Sequence, residues 1–185
     1  MVWLILGVIL WSYSHLMKRV TPGFRAGLGD NAGKLVATVL TFAALALMIT
    51  GYRSAEVVIL WEPPGFLRPI SILLMLVAVI LVTLGYSRGA LRSRMRHPML
   101  TSVKVWALAH LLANGNLAHA MLFGSFLIWA VLSFTAARRR DRAAGTVYAP
   151  GKAVATVSTL VVGAVAWIVF ALWLHGWWIG IRPVG

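Results

Sequence analysis

Five histidines, His15, His97, His110, His119 and His175, carry most of the chemistry this chain can offer. A neutral imidazole presents a nitrogen lone pair to a metal and relays protons near neutral pH. The residues for competing chemistries are missing. Aspartate and glutamate total four, Asp30, Glu56, Glu62 and Asp141, and each falls in a predicted connection. A proton pump or a two-carboxylate hydrolase needs an acid among its helices. With no cysteine in the chain there is no disulfide, thiolate metal site or cysteine nucleophile, and no statement about redox compartment follows. The sequence also lacks a Gly-rich phosphate loop, an HExxH zinc motif and a GxSxG elbow. Ser125 reads as a small packing residue.

The elements that must position these imidazoles are apolar helices. Of 185 residues, 61% are apolar and 11% charged, against about 25% charged in soluble domains. Apolar runs cover residues 1–17, 35–51, 70–86, 100–112, 117–137 and 153–178. Most approach or exceed the ~17 to 25 residues of a membrane-spanning helix. The expected fold is therefore all-α, a polytopic membrane helix bundle of about six transmembrane helices forming one domain over residues 1–185. Lys104 and His110 make the fourth run the weakest, and without it five would remain.

A net charge of +13 would point to nucleic acid in a soluble chain. Its distribution points elsewhere. Lys18, Arg19, Arg25 and Lys34 lie in the first connection, Arg88, Arg92, Arg94 and Arg96 in the third, and Arg138, Arg139, Arg140, Arg142 and Lys152 in the fifth. The second has only Arg53 and Arg68, and the fourth has none. This alternation fits six crossings with basic loops in the cytoplasm and both termini outside. Trp3, Trp61, Trp173, Trp177 and Trp178 then fall at the outer interface, where tryptophan is enriched. Membrane lipids are the expected partners of the basic loops, and nucleic acid is not. Residues 1–17 lack a basic n-region and a cleavage motif, so they read as a retained helix rather than a signal peptide. The expected location is the bacterial inner membrane.

Two histidines fall inside predicted spans. His110 lies ~20 Å along the helix from His97, and His15 ~20 Å from the outer start of the first helix, in a core about 30 Å thick. The two differ by ~9 Å in depth, which ordinary helix tilt can close. A site with both as metal ligands is permitted, not required. His97 precedes a proline in a basic loop, while His119 and His175 lie near the outer interface, within reach of water. Trp106, His110 and Asn114 recur at four-residue spacing on one face, and Lys104 points ~120° away from His110. An aromatic wall beside an imidazole suits a flat macrocycle such as haem, for which histidine is an axial ligand. It equally suits ordinary packing around a hydrogen-bonded histidine.

Connections carry turn chemistry at Thr21-Pro22-Gly23, Glu62-Pro63-Pro64-Gly65 and Asn114-Gly115-Asn116. The last is so short that the fourth and fifth helices are expected to form a tight antiparallel hairpin. Paired interrupted helices of an inverted-repeat transporter are not evident.

The segment Arg96-His97-Pro98-Met99-Leu100, then Lys104-Val105-Trp106-Ala107-Leu108-Ala109-His110-Leu111-Leu112-Ala113-Asn114-Gly115, then Leu122-Phe123-Gly124-Ser125-Phe126, resembles the signature of the NnrU family of bacterial membrane proteins. Ser14-His15, Leu60-Trp61-Glu62-Pro63-Pro64 and Leu174-His175-Gly176-Trp177 extend the resemblance over most of the chain. It implies a link to denitrification and nitrogen-oxide metabolism. The family is distantly similar to plant zeta-carotene isomerase, a membrane enzyme with histidine-ligated haem b. That similarity implies haem b as cofactor with His110 and His15 as iron ligands, and the shared helical face adds Trp106 and Asn114 beside His110. It also raises an alternative, haem-dependent cis-trans isomerisation of a lipophilic polyene such as a carotenoid or polyprenoid. Ala107 stands where the isomerase has a cysteine three residues before the histidine, and Pro69 and Asn116 stand where many relatives have histidine and aspartate. Arg96-His97-Pro98 also resembles an element of isoprenylcysteine-type methyltransferases, but no glutamate follows Glu62 to complete that motif. A non-enzymatic partner of a respiratory complex is a further alternative.

Overall fold

Each expected apolar run becomes helix in the computed structural model, which describes residues 1–184. In chain order these are α1 (Val2–Val20), α2 (Pro22–Gly27), α3 (Gly29–Arg53), α4 (Leu67–Gly85), α5 (Ala90–Arg94), α6 (Pro98–Ala113), α7 (Leu117–Ala143) and α8 (Ala153–Val169). A π-helical turn over Phe170–Leu174 carries α8 into α9 (His175–Ile179). The described residues form no extended strand, only isolated bridges at Ile59–Asn116 and Gly89–Lys152.

Four helices are long and apolar enough to cross a membrane: Gly29–Arg53, Leu67–Gly85, Leu117–Ala143 and Ala153–Ile179. The expectation was six. The first helix carries Ser12, His15, Lys18 and Arg19 in its second half, and α6 has 16 residues including Lys104 and His110. Polar groups in the one, and shortness in the other, keep both below the mark.

The chain divides into two compact units. The first comprises Met1–Trp61 and Asn116–Ser125. Its seam runs between α1 and α3, where glycines let two backbones touch. A Cβ on Gly7 would stand 2.7 Å from the backbone nitrogen of Met48, and one on Gly51 would overlap the backbone of Leu4. Leu4, Ala44 and Met48 are buried along this line. Without a hydrophobic drive between helices in lipid, such close packing is what holds them. Pro22 starts α2 at its first turn, where a missing N–H costs nothing. Arg25 then turns inward, donating to the Gly29 carbonyl at 2.8 Å and pairing with Asp30 at 3.8 Å.

The second unit comprises Glu62–Gly115 and Phe126–Gly185. Here α4 packs against both α6 and α8. Ser102 donates to the Ala78 carbonyl at 2.7 Å, and Thr159 to the Ser87 hydroxyl at 2.6 Å. Gly85 faces Met99, and Gly163 faces Ile80 and Thr83. Two contacts set the direction of α7 beside α6: Trp106 meets Phe126, and Lys104 meets Phe134. Rising numbers on one helix meet falling numbers on the other, so within this unit α6 and the later part of α7 run antiparallel, as the expected hairpin requires.

Candidate functional site

His110 sits one turn before the end of α6, with its Nδ1 2.9 Å from the carbonyl oxygen of Trp106. A carbonyl can only accept, so the proton of the neutral ring resides on Nδ1 and Nε2 keeps its lone pair. The Trp106 ring lies 5.3 Å away, tilted by 56°, and Phe126 stands edge-on against its other side at 5.4 Å. Asn114 shares the face, as its spacing implied, but its Nδ2 donates to the His110 carbonyl at 2.9 Å. That amide closes the helix end, where carbonyls lack partners.

The same arrangement recurs at His15 in the first unit. Its Nδ1 lies 2.9 Å from the carbonyl of Trp11 and 3.0 Å from the Ser14 hydroxyl, which itself donates to Trp11 and meets Thr41. The Trp11 ring is 4.1 Å from the imidazole, tilted by 32°. Tryptophan four residues before histidine is thus a repeated unit in the sequence, at 11 and 15 and at 106 and 110. Neither imidazole is fully enclosed: His15 is exposed and His110 half-buried. Both had been expected deep inside a bundle.

His119 is committed to structure. Its Nδ1 and its backbone N–H both point to Asn116 Oδ1, at 2.6 and 2.8 Å, and its Nε2 accepts from Tyr52 at 2.7 Å. Both ring nitrogens are used, and only 9% of the residue is exposed. Asn116 caps the start of α7 in this way. His119 was expected at the outer interface with its tip in water, and this clamp replaces that reading. His175 has its Nδ1 2.6 Å from the Ile181 carbonyl and its ring edge-on to Phe170.

At the basic end of the second unit, His97 precedes Pro98 with its backbone in the left-handed region, φ 52°. Its Nε2 lies 2.9 Å from Asp141 Oδ2. The contact becomes an ion pair when the imidazole is protonated. Tyr148 donates to the same carboxylate at 2.9 Å, while Arg92 and Arg96 lie over its ring at 5.2 and 5.7 Å. Burial first, then the hydrogen bond and charge of Asp141, push the Tyr148 phenol above its ordinary value. Spacing gave no sign of this cluster, because it joins residues 97 and 141 through the fold.

Lys104, which the helical face left unassigned, places its Nζ 3.6 Å from the centre of the Phe134 ring. This cation–π contact replaces part of the hydration that an ammonium loses inside a protein.

Among the described residues no three histidines or acids cluster as a metal site. An iron held by a macrocycle needs only one or two side-chain ligands, and an Nδ1-anchored imidazole beside a flat aromatic ring has the donor chemistry for that role. His110 with Trp106, and His15 with Trp11, fit it at the level of the donor atom. His119 does not.

No curated protein and no solved structure matches the chain. A family model described as NnrU protein matches residues 3–183, and the chain therefore belongs to the NnrU family.

Proposed function

We propose that this protein binds haem b in a membrane, with His110 and His15, each taken within its own unit, as the candidate iron ligands, and serves nitrogen-oxide metabolism. The observation that carries the reading is the anchoring of Nδ1 on the preceding turn's carbonyl at both histidines, each 2.9 Å away. Anchoring fixes the tautomer and limits rotation of the ring, with the lone pair on Nε2, the atom that would ligate iron. Trp106 and Trp11 supply flat apolar walls in their respective units. When bound, haem b would supply one-electron chemistry and a place for a small diatomic ligand. The link to denitrification rests on membership of the family.

The topology belongs to the same proposal. Six crossings, with both termini outside the bacterial inner membrane, account for the alternation of basic connections. By length, α1 reaches ~28 Å and α6 ~24 Å, so α6 crosses with modest local thinning of the bilayer. Reporter fusions after residues 27, 94 and 145 should be active only on the cytoplasmic side; activity of any of them on the outer side would refute this topology.

Absorbance of the detergent-purified protein tests the haem. A Soret band that shifts on dithionite reduction is expected from haem-replete cells. His110→Ala should abolish or shift it, His15→Ala should alter the spin state or the amount bound, and His119→Ala should leave the band position unchanged. Colourless wild-type protein, or a band indifferent to both His110 and His15, would overturn the reading. Supplying a cis polyene to the coloured protein and following its isomer ratio examines the isomerase alternative, against which Ala107 in place of a second ligand counts.

A further inference from the structure

Two cations of the second unit converge on one aromatic ring. Lys104 of α6 and Arg138 of α7 lie 3.6 and 5.8 Å from the Phe134 ring centre, with His97 edge-on to the same ring at 6.0 Å. Among the described residues no carboxylate lies within ion-pair distance of either cation. Asp30 faces Arg25, and Asp141 faces His97 and already holds Tyr148. Like charges brought together in a low-dielectric setting repel strongly unless an anion joins them. Lys104 is half-buried and Arg138 exposed, so the pair is reachable from outside the chain.

What lies deeper along the same helices gives the character of that anion. One turn beyond Lys104 is Leu108, 42% exposed, and two turns before Arg138 is Val131, 46% exposed. Because α6 starts and α7 finishes at the basic end, both residues stand ~6 to 10 Å further from that end than their cations. Charge followed by bare apolar surface is the order of an amphiphile, a phosphate headed and a hydrocarbon tailed. A free anion would need only the cations.

We infer that Lys104 and Arg138 form a specific site for the phosphate of one anionic phospholipid, with Phe134 holding the ammonium in place and the acyl chains lying over Leu108 and Val131. Leaflet-wide attraction of basic loops to anionic lipid is general; this site differs in being a fixed pair on two helices. It does not depend on the haem proposal, and absorbance plays no part in its test.

Native mass spectrometry of the full chain in mild detergent, titrated with phosphatidylglycerol or phosphatidylcholine, is the test. Wild-type protein should retain one phosphatidylglycerol in preference to phosphatidylcholine. With about fivefold in affinity for each cation near a lipid phosphate, Lys104→Ala with Arg138→Ala should weaken the first bound lipid about twenty-five-fold. Lys104→Arg with Arg138→Lys should retain it within a few-fold. Millimolar inorganic phosphate should not displace the lipid. Equal retention of the two lipids by wild-type protein, or an unchanged affinity in the double alanine variant, would overturn the site. Displacement by inorganic phosphate would overturn the lipid as its natural occupant. Should the double alanine variant fail to fold, the wild-type lipid comparison and the phosphate competition decide alone.

Discussion

At position 97 a β-carbon occupies backbone space that glycine fills without strain. A left-handed conformation costs an L-residue about 1 to 2 kcal/mol, and His97 at φ 52° bears that cost while its imidazole faces Asp141. Two substitutions separate the backbone from the side chain. His97→Ala removes the imidazole and keeps the strain; His97→Gly removes both. The glycine variant is expected to be more stable than the alanine variant by about 1 kcal/mol in denaturant unfolding, and equal stability would mean that the backbone relaxes once the ring is gone. Phe134 offers a second test at this scale. Phe134→Leu keeps the bulk and removes the ring's negative face, so a loss of about 1 kcal/mol is expected, whereas Lys104→Met together with Phe134→Leu should recover part of it. Lys104 could not be assigned from its own helix because its partner is thirty residues away on another.

Helices pair here through small residues set at the contact line. At Gly51 an added methyl would run into the backbone of Leu4, which cannot swing aside as a side chain can. Gly51→Ala is therefore expected to separate the end of α3 from the start of α1 at a cost of about 1 to 3 kcal/mol. Gly27→Ala, with nothing near its position, should be close to neutral, and thermal stability in detergent compares the two. Apolar runs located the long helices because length and composition alone determine them. The short helices α2 and α5 fell within expected connections, since Thr21-Pro22-Gly23 carries turn chemistry and the arginines from Arg88 to Arg96 interrupt the apolar pattern. The π-turn at Phe170–Leu174 had no signal in hydrophobic periodicity. At the candidate site, four-residue spacing put the rings of Trp106 and His110 side by side because that relation is local, while Asn114 turns to the carbonyl at the helix end. The clamp on His119 was hidden, because Tyr52 reaches it from a distant part of the chain.

Across the molecule, large apolar side chains point outward from every long helix: Phe42, Leu73, Ile128 and Trp173 are each more than 60% exposed. In water that surface would drive association; in hydrocarbon it costs nothing. Charge is apportioned along the chain rather than spread over it, and under the proposed topology the net +13 would report orientation in the bilayer. The glycine seams at Gly7, Gly51, Gly85 and Gly163 bear on how such a fold fails. Backbone hydrogen bonds inside a bilayer or micelle have no water to replace them, so heat parts the helices before it unwinds them. The near-ultraviolet dichroism of nine tryptophans should collapse tens of degrees below any loss of the far-ultraviolet helical signal. A melting curve taken from helicity alone would then certify as native a protein whose seams had already opened.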